Sequence, residues 1–372
     1  MIKIFRRTVY PLILAMVFVN LFQFTAFGAN SKVSSEDINN DFWSNKKELT
    51  SVNETRSSTI TYSGYSNITL TEFNNDVKKA VTSGNKIIYI HNDGKVMEYD
   101  PLNDTWGDKD KIPALQNSNG DFKLVTIDNL IYIIGVNFTD ILVYDPTGKT
   151  CSLKTKLPTK RKVGGVASAN NKIYILGGFD STKGSTIDTL EEYDPKTDKW
   201  TTKAHMLKPA NSVAATELNG EIYILGRLKM DFTDSGLEIS QTLETYNIKN
   251  NIWNIKTTFN YGWNNETIEA VNDKIYIIGN RNDDTGDSDT IQIEEYNPKT
   301  NKFFPRKGTS AQRSKYASAV LNGEIYIFGG VRYKTAPENP ADSKKYYDEL
   351  KANPISIIEN VKTVEKYTPP KP

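Results

Sequence analysis

The chain has 372 residues, 38% of them hydrophobic and 11% aromatic, with 20 tyrosines; this allows one large domain or two ordinary ones with a real core, and the tyrosine content favours sheet. Its 46 basic and 45 acidic residues cancel, which excludes the broad positive field that nucleic-acid binding needs. Cys151 is the only cysteine, so an intramolecular disulfide is impossible, and so is a lipid-modified cysteine behind a leader.

The chain opens with Lys3, Arg6 and Arg7, followed by an apolar stretch from Val9 to Phe27. Ala26 and Gly28 then stand at the minus-three and minus-one sites of a cut before Ala29. This layout predicts a signal peptide over residues 1–28 and a secreted or cell-envelope location. The stretch is long enough to span a bilayer if left uncleaved, the one way in which a membrane would be involved; Pro11, Asn20 and Gln23 argue against that. Cleavage removes three basic and no acidic residues, leaving 43 against 45 and a net charge near −2. Residues 29–58 read as an N-terminal extension.

Beyond it the chain repeats. "KIIYIHN" (86–92) is followed by "LIYIIGV" (130–136), "KIYILGG" (172–178), "EIYILGR" (221–227), "KIYIIGN" (274–280) and "EIYIFGG" (324–330). Each copy is answered by a second signature: "MEYDPLNDTW", "LVYDPTGKTC", "EEYDPKTDKW", "ETYNIKNNIW", "EEYNPKTNKF" and finally "VEKYTPPKP". An Ile-Tyr-Ile run without polar alternation suits a strand buried on both faces. Asn-Gly in "ELNGEIYIL" and "VLNGEIYIF" is a hairpin signal upstream of that strand. Asp-Pro opens a tight turn downstream, so that the Tyr and the Trp seven residues later pair across a second hairpin. One repeat therefore reads as four antiparallel strands, a to d.

The glycine pair, the Tyr-Asp-Pro and the Trp at this spacing resemble Kelch repeats, over about residues 71–372. The resemblance implies an all-β fold: a six-bladed Kelch-type β-propeller of four-stranded antiparallel blades. Departures are visible. Both glycines stand only in repeats three (Gly177, Gly178) and six (Gly329, Gly330), and the Trp slot holds Trp106, Cys151, Trp200, Trp253 and Phe303. The blades span about 71–116, 117–160, 161–209, 210–261, 262–311 and 312–372. In the sixth the prolines after Tyr367 cannot continue a ladder, which leaves an open edge. An N-terminal strand is expected to close the ring: residues 59–70 by counting back from Ile88-Tyr89, with 41–49, which contains Trp43, as the competitor. The propeller domain is then 59–372.

Tyr-to-slot spacing is seven throughout, but the strand-b Tyr to strand-c Tyr separation runs 10, 12, 19, 23, 20 and 41. Variation thus collects in the b–c connections, which share a rim with the d–a connections, and polar loops on a rigid frame are where binding usually sits. Twelve residues before the strand-b Ile stand Asn119, Arg161, Ala210, Trp263 and Arg313, and the b–c positions hold His91, Asn137, Phe179, Arg227, Arg281, Arg332 and Tyr333. The ligand-binding candidates are Arg161, Arg227, Trp263, Arg281, Arg313, Arg332 and Tyr333. Such residues can hold a carboxylate or stack on a sugar, although surface loops carry them anyway. A short helix is expected over roughly 343–351.

Chemistry is sparse. His91 and His205 fall in different repeats and are placed on different faces, so no metal centre, triad or cofactor site is expected, and no catalytic residue is assigned. The carboxylate-rich 282–290 and 230–236 lack an EF-hand ending. Cys151, in the Trp slot, reads as a structural thiol. Glutamates before the strand-c Tyr (Glu98, Glu192, Glu244, Glu295, Glu365) recur and read as structural. The expectation is a monomeric, non-catalytic module for an extracellular or envelope protein or glycan. The alternative is a carbohydrate-active enzyme: the chain also resembles N-acetylneuraminate epimerase (sialic acid mutarotase), which implies the rim arginines as a carboxylate clamp.

Overall fold

The computed structural model describes residues 42–46, 56–60, 68–72, 79–116, 118, 121–226, 229–233, 236–282, 291–309, 313–333, 358–360 and 364–370. The signal segment, the helix expected over 343–351 and most of the 282–290 loop lie outside the described residues. Among the described residues no helix is long and apolar enough to cross a membrane.

Six four-stranded antiparallel sheets stand round one axis. In order a to d, blade one is Ala80–Ser83, Lys86–Ile90, Lys95–Asp100 and Thr105–Lys111. Blade two is Lys123–Ile127, Leu130–Val136, Asp140–Asp145 and Thr150–Lys156; blade three is Lys162–Ala169, Lys172–Asp180, Ser185–Asp194 and Lys199–Thr202. Blade four is Ala215–Leu218, Glu221–Leu225, Gly236–Asn247 and Ile252–Phe259; blade five is Gly262–Val271, Lys274–Asn282, Gln292–Asn297 and Lys302–Arg306. Blade six takes Ala317–Leu321, Glu324–Phe328 and Val364–Thr368, and its fourth strand is Phe42–Lys46. Strands a are innermost. Each neighbours the next, blade six meets blade one, and together they line a channel of about 340 Å³.

The ring is closed by residues 42–46, which corrects the expectation for 59–70. Phe42–Lys46 pairs antiparallel with Val364–Thr368 and sets Trp43 opposite Tyr367. That is the Tyr–slot register of the other blades: Tyr99 faces Trp106, Tyr144 faces Cys151, Tyr193 faces Trp200, Tyr246 faces Trp253 and Tyr296 faces Phe303. Arg56–Ile60 and Ile68–Glu72 pair instead with one another as a separate hairpin. Pairing rather than spacing decides the edge, because the link from residue 46 into blade one is free to vary in length.

The unbroken apolar runs are explained by six hydrophobic clusters, one between each pair of neighbouring blades. Along blade three, Ile173 and Ile175 pack toward blade two while Tyr174 and Leu176 pack toward blade four. Both faces of strand b are thus buried. The strand-b Tyr of one blade also meets the strand-c Tyr of the next: Tyr174–Tyr246, Tyr223–Tyr296, Tyr276–Tyr367 and Tyr326–Tyr99, with ring centroids 5.9–6.4 Å apart. Blade one departs from this. Ile88, not Tyr89, packs toward blade two, and Tyr89 packs on the opposite cluster.

The c–d hairpin is held by a bond that its Pro does not supply. Tyr99, Tyr193, Tyr246 and Tyr296 each donate their hydroxyl to the Asp or Asn five residues on, at 2.7, 2.6, 2.7 and 2.8 Å. Those partners (Asp104, Asp198, Asn251, Asn301) all adopt positive φ of 50–57°, a conformation Asp and Asn tolerate. Asp194 adds a local turn by accepting the Lys196 N–H at 2.9 Å. Burial pushes the Tyr193 phenol far above its ordinary value, reinforced by Asp198, so its hydroxyl stays a donor. Tyr193→Phe is expected to cost about 1–2 kcal/mol in urea unfolding, with no change when Asp198 is already Ala.

Strands b to d carry a second recurrent network. Glu192 holds Lys172, the Tyr174 hydroxyl and Lys203 at 2.5, 2.8 and 2.9 Å. Glu295 does the same with Lys274, Tyr276 and Arg306. In blade six the signs are exchanged: Glu324, at the head of strand b, holds Lys366 of strand c. These contacts give Glu192 and Glu295 a structural role.

Candidate functional site

The rim that carries the b–c and d–a connections is the elaborated one. Blade four adds Lys229–Thr233, paired with the leading half of Gly236–Asn247. Blade six adds Val331–Tyr333, paired with Ile358–Asn360. Gly178 shows how tightly the rim is built: at φ +120°, a Cβ there would fall 2.0 Å from the Lys162 carbonyl oxygen.

Two of the candidate arginines are internal. Arg161 is fully buried, and its Nη2 donates to Glu191 Oε2 at 2.6 Å. Arg313 is 1% exposed; it donates from Nη2 to Glu365 Oε2 at 2.8 Å and from Nη1 to the Gly329 carbonyl at 3.0 Å. Burial lowers the Arg313 pKa, and Glu365 opposes the shift. Both guanidiniums therefore tie the head of strand a to strand c of their own blade, and neither is displayed to solvent.

The others divide. Arg281, across the strand pair from Trp263, lies with its guanidinium carbon 4.8 Å from the centre of the Tyr261 ring. Tyr261 in turn donates to Glu294 Oε2 at 2.8 Å. Burial raises the Glu294 pKa, and Tyr261 and Arg281 counter it. Arg332 is exposed. Tyr333 ends the short strand that contains Arg332, while Arg227 and Asn119 lie outside the described residues.

Trp263 lines a cavity of about 370 Å³ between blades three, four and five, together with Ala210, Gly226, Gln241, Asn264 and Glu266. Gln241 fixes its wall. Its amide donates to the Gly226 carbonyl at 3.1 Å, and its oxygen accepts the Trp263 backbone N–H at 2.8 Å.

The histidines correct an expectation. His91 follows strand b and His205 follows strand d, so both stand on this same rim rather than on opposite faces. Each is held by a carboxylate, His91 Nδ1 3.0 Å from Asp93 and His205 Nδ1 2.8 Å from Asp188. Cys151 is half-buried, and burial, with Asp110 nearby, pushes its thiol up to about 11, consistent with a structural thiol. The glutamates before the strand-c Tyr are two sets, not one. Glu98, Glu192 and Glu295 directly precede the Tyr, whereas Glu244 and Glu365 precede it by two, as do Glu191 and Glu294. Adjacent strand positions face opposite ways, and the second set is the one that meets the candidate arginines Arg161 and Arg313.

Comparison with known proteins agrees with this geometry. The Kelch motif matches residues 164–207, which is blade three from strand a past strand d. Kelch-like protein 23 of Mus musculus is 25% identical over 258 residues, 66% of this chain and 42% of that protein. Beta-scruin of Limulus polyphemus is 26% identical over 185 residues, 49% of this chain and 20% of that protein. Together these support a Kelch-repeat β-propeller. Kelch repeat protein M-T8 of Myxoma virus is also similar, 24% identical over 215 residues, 56% of this chain and 40% of that protein. The chain thus spans under half the length of these relatives.

Proposed function

We propose that this chain is an exported or cell-envelope, non-catalytic binding module that engages a protein or glycan through the b–c/d–a rim of its Kelch ring. One observation carries the reading: the b–c connections, which hold nearly all the length variation between repeats, and the 370 Å³ cavity are on the same rim of an otherwise regular frame. The Kelch-like relatives favour binding over chemistry. The sugar-epimerase alternative is left with Arg227, Arg281 and Arg332 as candidates for its clamp, because Arg161 and Arg313 are engaged inside their blades.

The test pairs a glycan array with crosslinking to envelope proteins, using the mature chain, an exposed-rim variant and an opposite-face control. Arg332→Ala costs under about 0.5 kcal/mol of stability as an exposed change and weakens capture. Lys196→Ala, in an exposed c–d turn on the other face, leaves capture intact. Capture lost with Lys196→Ala and kept with Arg332→Ala would overturn the reading.

A further inference from the structure

Among the described residues, one glutamate of the set two residues before the strand-c Tyr, Glu244, has no arginine beside it. In blades three and six, Glu191 and Glu365 meet arginines from the head of strand a. Blades one and two carry Met97 and Leu142 at this position and need none. In blade five, Glu294 has the Tyr261 hydroxyl, with Arg281 close by. Blade four keeps the glutamate, Glu244, but the strand-a position that supplies Arg161 and Arg313 is Ala210.

Glu244 is 4% exposed, and among the described residues its carboxylate has a single hydrogen bond, from Thr242 Oγ1 at 2.6 Å. Burial raises its pKa, against Thr242 and the more distant Lys208. The space left by the shorter side chain is not refilled. Ala210 lines the 370 Å³ cavity, and so does Gly226, whose absent Cβ would fall 2.6 Å from Glu244 Oε1. Among the described residues the cavity wall carries one carboxylate, Glu266, and no cationic side chain, while Glu244 stands directly behind Gly226. In blade six, Arg313 also bonds the carbonyl of Gly329, the residue matching Gly226. In blade four Gln241 takes over that bond but brings no charge.

We propose that this cavity binds a guanidinium group, an arginine of a partner segment, which supplies in trans the cation that blades three and six hold in cis. This rests on the reading of the rim as a binding surface and names the chemistry that the surface selects. A planar, weakly hydrated guanidinium suits a buried carboxylate better than an ammonium, and a lone carboxylate at this depth is costly until paired.

The probe is N-acetyl-arginine methylamide, compared with its lysine and citrulline counterparts and with free arginine, by thermal shift and titration calorimetry on the mature chain. The arginine amide is expected to raise the melting temperature and the citrulline amide is not. Glu244→Gln weakens binding by about tenfold or more. Ala210→Arg fills the cavity from within, raises the melting temperature without ligand and abolishes binding. Glu244→Gln alone leaves the fold at least as stable as before, whereas Glu191→Gln, which strands Arg161, destabilises it. Free arginine binding as well as the amide would point to a small-molecule source of the same group. Equal response of wild type and Glu244→Gln, or no response to either arginine probe, would overturn the assignment. So would strong thermodynamic coupling between Arg227 and Glu244 in a double-mutant cycle, because the chain would then supply its own cation. Those failures leave Arg332-dependent capture standing, so they are separable from failure of the rim reading.

Discussion

Arg313→Ala is expected to lower unfolding stability by about 3–5 kcal/mol, because it leaves Glu365 as an uncompensated charge inside blade six. The pair sits at 0% and 1% side-chain exposure, so water cannot take the place of the lost guanidinium. Replacing both partners together, Arg313→Met with Glu365→Leu, is expected to cost far less, since the desolvation of two ions is removed along with their attraction. Urea unfolding of the two single variants and the double variant gives the coupling directly. If the single and double variants lose the same stability, the ion pair is not what joins strand a to strand c, and the blade is held by its ladder alone.

Deleting residues 42–46 is expected to lower the melting temperature by about 10 °C or more, because it uncovers the Val364–Thr368 edge and removes the register that places Trp43 opposite Tyr367. Deleting 56–72, which removes the separate hairpin, is expected to shift it by under about 2 °C. Differential scanning calorimetry of the two deletions decides between the closures. The reverse order would mean that residues 56–72, and not 42–46, complete blade six.

What could be read from the residues follows from how locally each feature is encoded. The motif Tyr-Asp-Pro-Lys-Thr-Asp-Lys-Trp contains its own hairpin, so the pairing of Tyr193 with Trp200 needs no distant information. Even there the Pro drew attention from Asp198, the residue that accepts the Tyr193 hydroxyl. Trp43 was the visible mark of the closing strand, but extrapolating a constant spacing across an unconstrained link favoured the wrong segment. Tyr89 shows a milder failure. The a–b turn pairs Val81 with Ile88, one residue out of step with the visible Ile-Tyr-Ile pattern, and a single step exchanges the faces of a strand.

The site was harder to read because its residues were identified by type and loop position alone. Nothing local to Arg161 tells that a carboxylate thirty residues on, Glu191, will bury it. A usable signal was present all the same. Glutamates one and two residues before the strand-c Tyr belong to different faces, and separating them would have marked Arg161 and Arg313 as internal. The cavity beside Trp263 had no such signal, since it is made by what Ala210 lacks. The Trp slots also differ in depth: Trp200 is half-buried, so truncating it should cost less than truncating Trp253. Trp253 is 8% exposed and donates from its indole to the Ala204 carbonyl at 2.9 Å.

The joining of residues 42–46 to residues 364–368 imposes an order on biogenesis. The strand at 42–46 has no mate until residues 364–368, more than three hundred residues on, have been made, so the circle is completed only after the other five blades have been synthesised. Until then the polypeptide is an open fan of blades with two adhesive ends. A permuted gene that carries 42–46 behind residue 370 would place the two mates side by side in time, and such a chain should mature faster while reaching the same architecture.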